Sequence, residues 1–171
     1  MKSNYTIKDN FLSDKDFRSL SDVMLGADIP WYYNPYRVRE GDGEYQFTHT
    51  FYRFNTIYSN WFHNLNKIIE EIKPASLLKI KANLTPKEHE TVVSGFHNDG
   101  EDTWGIREGE EGWLTSVFYL NTSNGYTLLD DGTKVKSVAN RLASFPQYVR
   151  HASASCTDEK IRVVLNLNYI L

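Results

Sequence analysis

From Ile161 to Leu171 the chain alternates without a break: Ile161, Val163, Leu165, Leu167 and Tyr169 have one parity, Arg162, Val164, Asn166, Asn168 and Ile170 the other. Side chains on a strand point alternately to its two faces. The segment is therefore a strand with one apolar face and one face bearing a cation and two amides. If the apolar face packs on helices, the polar face lines the inside of a barrel, where Arg162 is costly unless an anion pairs with it. The competing reading is the wet outer face of an antiparallel sheet. This strand alone leaves both open.

The rest of the chain after Pro74 reads the same way. Leu78, Ile80, Ala82 and Leu84 alternate with Lys79, Lys81 and Asn83, and Thr91–Phe96 is β-branched and runs straight into His97. Leu114–Leu120, Thr127–Leu129, Lys134–Val138 and Arg141–Phe145 are further strands, with Asn124-Gly125 and Asp131-Gly132 as turns, the latter a two-residue hairpin signal. Before Pro74, Ser13 is a helix N-cap with Asp16 three residues on, Phe17, Leu20 and Met24 follow at helical spacing, and Gly26 marks an end. A second helix is predicted over Ser59–Lys73, with Trp61, Leu65, Ile68 and Ile72 on one stripe and Pro74 as its stop. Tyr45, Phe47, His49 and Phe51 alternate as a strand between the helices. Two helices followed by about eight short strands predict a mainly β fold with flanking α-helices, a double-sheet jelly roll open at one end. We expect a single domain, with a helical N-terminal part over about 1–76 and the jelly-roll core over about 77–171.

Composition narrows the function. At 171 residues the chain can bury a full core. A net charge of −3 and a pI of about 5.9 argue against a general nucleic-acid coat. Cys156 stands alone, which excludes an intramolecular disulfide and a thiolate zinc site. The first ten residues lack the apolar core of a signal peptide, and no apolar run approaches membrane-spanning length, so a cytoplasmic protein with no membrane partner is expected.

The chemistry points to Ser94-Gly95-Phe96-His97-Asn98-Asp99-Gly100. On an extended strand His97 and Asp99 project from the same face, as two ligands of one metal would. Asn98-Asp99-Gly100 is equally a good turn sequence. His151 follows 52 residues after Asp99, and Arg162 a further 11 on. Two imidazoles and a carboxylate are the facial ligand set of a mononuclear iron(II) site, and a guanidinium suits an anionic co-substrate. The same three ligands could hold zinc, but a zinc hydrolase gives Arg162 no role.

These residues, in this order, resemble the iron(II)- and 2-oxoglutarate-dependent oxygenases of the double-stranded β-helix (cupin-like) type. Within them the chain is similar to the prolyl-4-hydroxylase-like branch and its small phage-encoded members. The likeness is carried over about Leu77–Leu171 by His97-x-Asp99, Ser116–Asn121, Asn124–Thr127, Arg141–Pro146, His151 and Arg162. It implies that His97, Asp99 and His151 ligate iron(II). Arg162 would bind the distal carboxylate of 2-oxoglutarate, with a hydroxyl from Tyr119, and Asn83 would line the co-substrate pocket. Lys160 is the competing cation. The implied reaction consumes O2 and 2-oxoglutarate and hydroxylates a C–H of a peptidyl (prolyl-like) or small-molecule substrate, releasing succinate and CO2. A phage-encoded protein would act in the host cytoplasm. Many relatives carry Gly-Gly-x-Thr-x-Phe where this chain has Asn124-Gly125-Tyr126-Thr127-Leu128-Leu129.

His49, His63 and His89 read as structural. Two segments are candidates for substrate contact: Trp31–Glu44, rich in Tyr and Arg, could grip a peptide or a base by stacking, or could simply cover the core. Gly100–Gly112, Gly-rich and acidic, reads as a flap or a solvated loop. Two other functions remain: a jelly-roll binding module without turnover, and a nucleic-acid-directed oxygenase of the same fold, which the acidic pI disfavours.

Overall fold

The computed structural model describes residues 4–99, 109 and 112–171. Among these residues eleven strands fall into two antiparallel sheets. The larger runs β1 (Thr6–Lys8), β9 (Arg141–Pro146), β6 (Trp113–Tyr119), β11 (Ile161–Ile170), β5 (Ser76–Pro86), β3 (Gln46–Arg53) and β2 (Tyr32–Asn34), with β4 (Thr56–Ile57) paired to β3. The smaller is β10 (His151–Ala154), β7 (Tyr126–Leu129) and β8 (Lys134–Lys136). This is a jelly roll, as the strand pattern predicts.

β11 sits at the centre of the larger sheet, paired with β5 and β6. Its apolar parity, Val163, Leu165, Leu167 and Tyr169, enters one core with Ile80 and Ala82 of β5 and with Leu20, Met24, Leu65 and Ile68 of the helices. Its other parity faces the smaller sheet. There Val164, Val117, Tyr119, Ala143 and Phe145 pack with Leu129, Val135 and Val149. Arg162 therefore lies inside, not on a wet face, and is 2% exposed.

Helix α1 spans Asp14–Met24, and the Ser13 hydroxyl accepts from the Asp16 N–H while donating to its carboxylate. It ends at Met24, two residues before Gly26. The predicted second helix is divided: a 3-10 helix over Asn60–Leu65, then α2 over Asn66–Ile72. The tight turn starts where Ser59 is tied down. Its hydroxyl accepts from the Trp61 N–H, its carbonyl accepts from the Phe62 N–H, and the His49 ring nitrogen lies 2.7 Å from its Oγ. Lys73 then closes α2 in the left-handed region at φ 54°.

Three expectations need correction. The Asp131-Gly132 connection is a four-residue loop, because the Leu129 N–H bonds to the Thr133 carbonyl and Asp131 Oδ1 accepts the Thr133 N–H. Thr91–Phe96 is not a regular strand. It runs beside β10 through isolated bridges only, at Val93–Ala154 and His97–His151. Serine hydroxyls take the place of carbonyls along it: Ser155 Oγ accepts from the Val92 N–H and Ser94 Oγ from the Ser153 N–H, each at 2.9 Å. Finally, the part before residue 76 is not set apart from the jelly roll: β1 and β2, which the sequence pattern does not predict, and β3, which it does, all join the larger sheet. Among the described residues no helix is long and apolar enough to cross a membrane.

Candidate metal and anion site

The site lies between the sheets, where β10 and the segment before His97 face β5 and β11. The two bridges differ in register by one residue, so the His97 side carries one extra residue between Ser94 and His97. Such a bulge re-aims a side chain. In an unbroken strand His97 would share the side of Val93, which pairs with Ala154; with the extra residue it pairs with His151 and takes that side. His97 and His151 exchange both backbone hydrogen bonds, at 3.0 and 2.8 Å, and their ring centroids are 4.6 Å apart.

Asp99 completes the group. Ligand atoms of His97, Asp99 and His151 all lie within 4.8 Å of one another, and His151 Nε2 is 3.9 Å from Asp99 Oδ2. Thr115 Oγ1 (3.3 Å) and Asn168 Nδ2 (3.1 Å) both donate to Asp99 Oδ2, and Lys79 Nζ lies 3.9 Å from Oδ1. Asn168 also donates to Thr115, at 3.0 Å. Burial alone would raise the carboxyl pKa of Asp99. Lys79, His151, His97 and the Asn168 hydrogen bond outweigh it and hold the group well below the usual carboxylate range. Burial, followed by the neighbouring His151, lowers His97 to about 4. His97 is thus a neutral imidazole and Asp99 an anion at neutral pH, the protonation states a metal requires.

At the other end of the same pocket, Arg162 donates to three hydroxyls: Nε to Ser137 Oγ at 2.7 Å, Nη1 to Ser153 Oγ at 2.9 Å and Nη2 to Thr127 Oγ1 at 3.3 Å. Burial pushes its pKa down. Among the described residues no carboxylate forms an ion pair with it. Gly125 makes room for it: a Cβ there would stand 2.6 Å from Arg162 Cδ and 2.9 Å from the Ala154 carbonyl oxygen. The Asn124-Gly125 turn is thus a seat for the guanidinium.

Asn83 lines the pocket with its Oδ1 buried and, among the described residues, without a hydrogen-bond partner. Tyr119 is fully buried and does not itself line the pocket; its hydroxyl donates to Thr127 Oγ1 at 2.8 Å and its ring lies beneath Arg162 at 5.6 Å. Lys160 is exposed before β11 and does not line the pocket. His49 is bound between Pro30 and Ser59, and His63 and His89 are not in the pocket.

Sequence reasoning gave no role to Lys81, which also lines the pocket, or to Thr115 and Asn168, and reached the pocket residues Arg37 and Val38 only as part of a candidate substrate-contact segment. Arg37 and Val38 come from the Trp31–Glu44 segment, folded around Asp42: its Oδ2 accepts the N–H groups of Arg37, Val38 and Arg39, and its Oδ1 that of Glu44. Arg37 is itself ion-paired with Glu44 at 3.0 Å and Glu88 at 3.2 Å. Asn168 had a signal in its parity beside Arg162; Thr115 had none. Of Gly100–Gly112 only Gly109 and Gly112 are among the described residues, so the flap reading falls outside them.

The donor set suits one divalent metal ion. The buried Arg162, with no carboxylate partner among the described residues, suits a carboxylate ligand beside it.

No family model matches the chain, and no curated protein does. Solved structures do match. The non-heme alpha-ketoglutarate-dependent epimerase SnoN from nogalamycin biosynthesis aligns over 98% of this chain and 76% of its own, at 13% identity and a TM-score of 0.68. A prolyl hydroxylase from Trichoplax adhaerens, in complex with a hypoxia inducible factor peptide fragment, aligns over 99% of this chain and 84% of its own, at 13% identity and 0.67. The viral collagen prolyl hydroxylase of Paramecium bursaria Chlorella virus-1, solved with 2OG, aligns over 98% and 96%, at 16% identity and 0.61. Over almost its whole length, the chain shares the fold of 2-oxoglutarate-dependent iron oxygenases.

Proposed function

We propose that this protein is an iron(II)- and 2-oxoglutarate-dependent dioxygenase that hydroxylates a C–H bond of a peptidyl (prolyl-like) or small-molecule substrate. The observation that carries the reading is Arg162, a buried guanidinium that among the described residues is held by neutral hydroxyls and no carboxylate, in the same pocket as the His97, Asp99 and His151 cluster. The solved relatives named for alpha-ketoglutarate, for 2OG and for prolyl hydroxylation support it.

His97, Asp99 and His151 would hold the metal on one face, leaving the opposite face for exogenous ligands. When bound, iron(II) with 2-oxoglutarate and O2 supplies the oxidising chemistry, whose balance is substrate C–H plus O2 plus 2-oxoglutarate giving alcohol, succinate and CO2.

The protein's own residues supply orientation. Arg162 receives the distal carboxylate through a forked pair of charge-assisted hydrogen bonds that a lysine would give less directionally. Thr127 and Ser153 accept from Arg162, so their hydroxyl protons remain to be donated to that carboxylate. Tyr119 acts on this end through Thr127, whose oxygen it holds. Asn83 lines the same pocket and would reach the ligand's carboxylate only through its side-chain N–H, since its Oδ1 can only accept. Asn168 and Thr115 fix the Asp99 carboxylate, as partners of metal ligands do.

The test is anaerobic. Iron(II) and then 2-oxoglutarate are added to metal-free protein, and the weak visible charge-transfer band of the chelate is followed. It should form in the wild type, vanish in His97→Ala and require far more 2-oxoglutarate in Arg162→Ala. Tight iron binding without a band would reject the oxygenase and favour a jelly-roll module that binds without turnover.

A further inference from the structure

One cation in the pocket has no task in this scheme. Lys81 lies on the pocket face of β5, between Lys79 and Asn83 in parity, and lines the same cavity as His97 and Asp99. Its cross-strand neighbours are both neutral: Asn166 on β11 and Thr50 on β3. The other cations here are engaged. Lys79 lies 3.9 Å from Asp99, Arg37 pairs with Glu44 and Glu88, and Arg162 is held by three hydroxyls at the far end. Among the described residues Lys81 has no acidic partner at ion-pair distance.

A half-buried ammonium without a counter-ion is expensive. Burial is the main influence on it, followed by repulsion from Lys79, and the attraction of Asp99 does not compensate: the pKa falls to about 8. A lysine serving only as filler would be better replaced by an apolar residue. The charges point the same way. A dianionic co-substrate is matched by Arg162 at one end and by the metal at the other, the metal keeping a formal charge of about +1 beside Asp99. Lys81 remains uncompensated when both are bound.

We infer that Lys81, with the amide of Asn166 beside it, forms a second anion subsite that receives a carboxylate of the substrate to be oxidised. The substrate class is thereby narrowed to molecules or peptide segments that carry a carboxylate close to the reacting carbon. The inference rests on the oxygenase reading above, in that 2-oxoglutarate takes the Arg162 end and leaves Lys81 to the substrate.

The test reads Lys81 directly. The lysines of the full chain are reductively methylated with isotope-labelled formaldehyde, and the Lys81 resonance is assigned by its loss in Lys81→Arg. The protein is saturated with zinc(II), as a redox-silent substitute for iron, and with 2-oxoglutarate, then titrated with acetate and separately with acetamide. Acetate should move the Lys81 resonance saturably, and acetamide should not. If 2-oxoglutarate itself moves the resonance and acetate then has no effect, Lys81 belongs to the co-substrate and the inference is overturned. Indifference to both anions overturns it as well. If 2-oxoglutarate fails to bind at all, the oxygenase reading falls, and acetate added to the metal-free protein still decides whether Lys81 is an anion subsite.

Discussion

His97 and His151 face each other as a hydrogen-bonded antiparallel pair, exchanging both backbone bonds at 3.0 and 2.8 Å, although the segment bearing His97 forms no regular strand. The pairing depends on one extra residue between Ser94 and His97. Deleting Gly95 should turn His97 to the opposite side and lower metal affinity by about 100-fold or more, in line with losing a well-held ligand. Gly95→Ala should bind metal normally, since a Cβ there meets nothing within 4 Å. Calorimetric titration with zinc(II) or iron(II) separates the two variants, and equal affinities would remove the bulge from the account.

Gly125→Ala places a methyl group 2.6 Å from Arg162 Cδ and 2.9 Å from the backbone oxygen of Ala154. The backbone atom cannot swing aside, so the guanidinium must shift. We expect a stability loss of about 1–3 kcal/mol, normal metal binding, and a marked rise in the 2-oxoglutarate needed to form the visible band. Urea unfolding and the anaerobic titration read the two effects separately.

Asn168 acts on the metal only through Asp99, to which it donates at 3.1 Å. Asn168→Ala and Thr115→Val should each weaken metal binding by roughly 10–100-fold while the metal-free fold persists. Unchanged affinity would mean that the Asp99 carboxylate is fixed by its backbone alone.

Lys81 also predicts a pH dependence of stability. Its pKa is lowered to about 8 in the folded protein, against about 10.4 for an unfolded chain. Between these values the unfolded state binds more protons, so this residue's contribution to stability rises with pH. Below pH 8 the folded protein carries the full cost of the buried charge, up to about 3 kcal/mol. Lys81→Met should therefore be more stable than the wild type at pH 7, with the gap closing by pH 10. Urea unfolding of the metal-free proteins at both pH values measures it; a gap independent of pH would show that the ammonium is well solvated.

Asn140 fastens the N-terminal segment to the sheet. Its side chain accepts from the Leu12 N–H and donates to the Leu12 carbonyl, both at 2.9 Å, and its backbone stands at φ 61°. Asn140→Ala removes two buried hydrogen bonds and leaves a residue less suited to that φ. The cost should be about 2–4 kcal/mol, visible as a lower urea midpoint with metal affinity unchanged.

Much of this was legible because it is periodic. The alternation of Ile161–Leu171 placed Val163, Leu165 and Leu167 in the helix-side core and Arg162 inside, once two layers were granted. Local chemistry marked Ser13 as a cap and Gly125 as a turn. His97-x-Asp99, His151 and Arg162 could be nominated from residue type and order, and the structure brings the first three within 4.8 Å and puts Arg162 in the same pocket.

What depended on the tertiary structure is of another kind. A bulge leaves no mark in sequence, because one residue more or fewer changes the face of every later side chain without changing composition. The face that His97 takes was decided by pairing with β10, a four-residue strand that shows no periodicity of its own. The partners of Asp99 come from β5, β6 and β11, far apart along the chain, and their hydrogen bonds exist only when three strands lie side by side. The isolation of Lys81 is likewise a property of its cross-strand neighbours. Sequence by itself determines which residues alternate, cap and turn, since those preferences act over a few residues; which side chains meet, and which charge is left without a partner, is decided by strand register and layer packing.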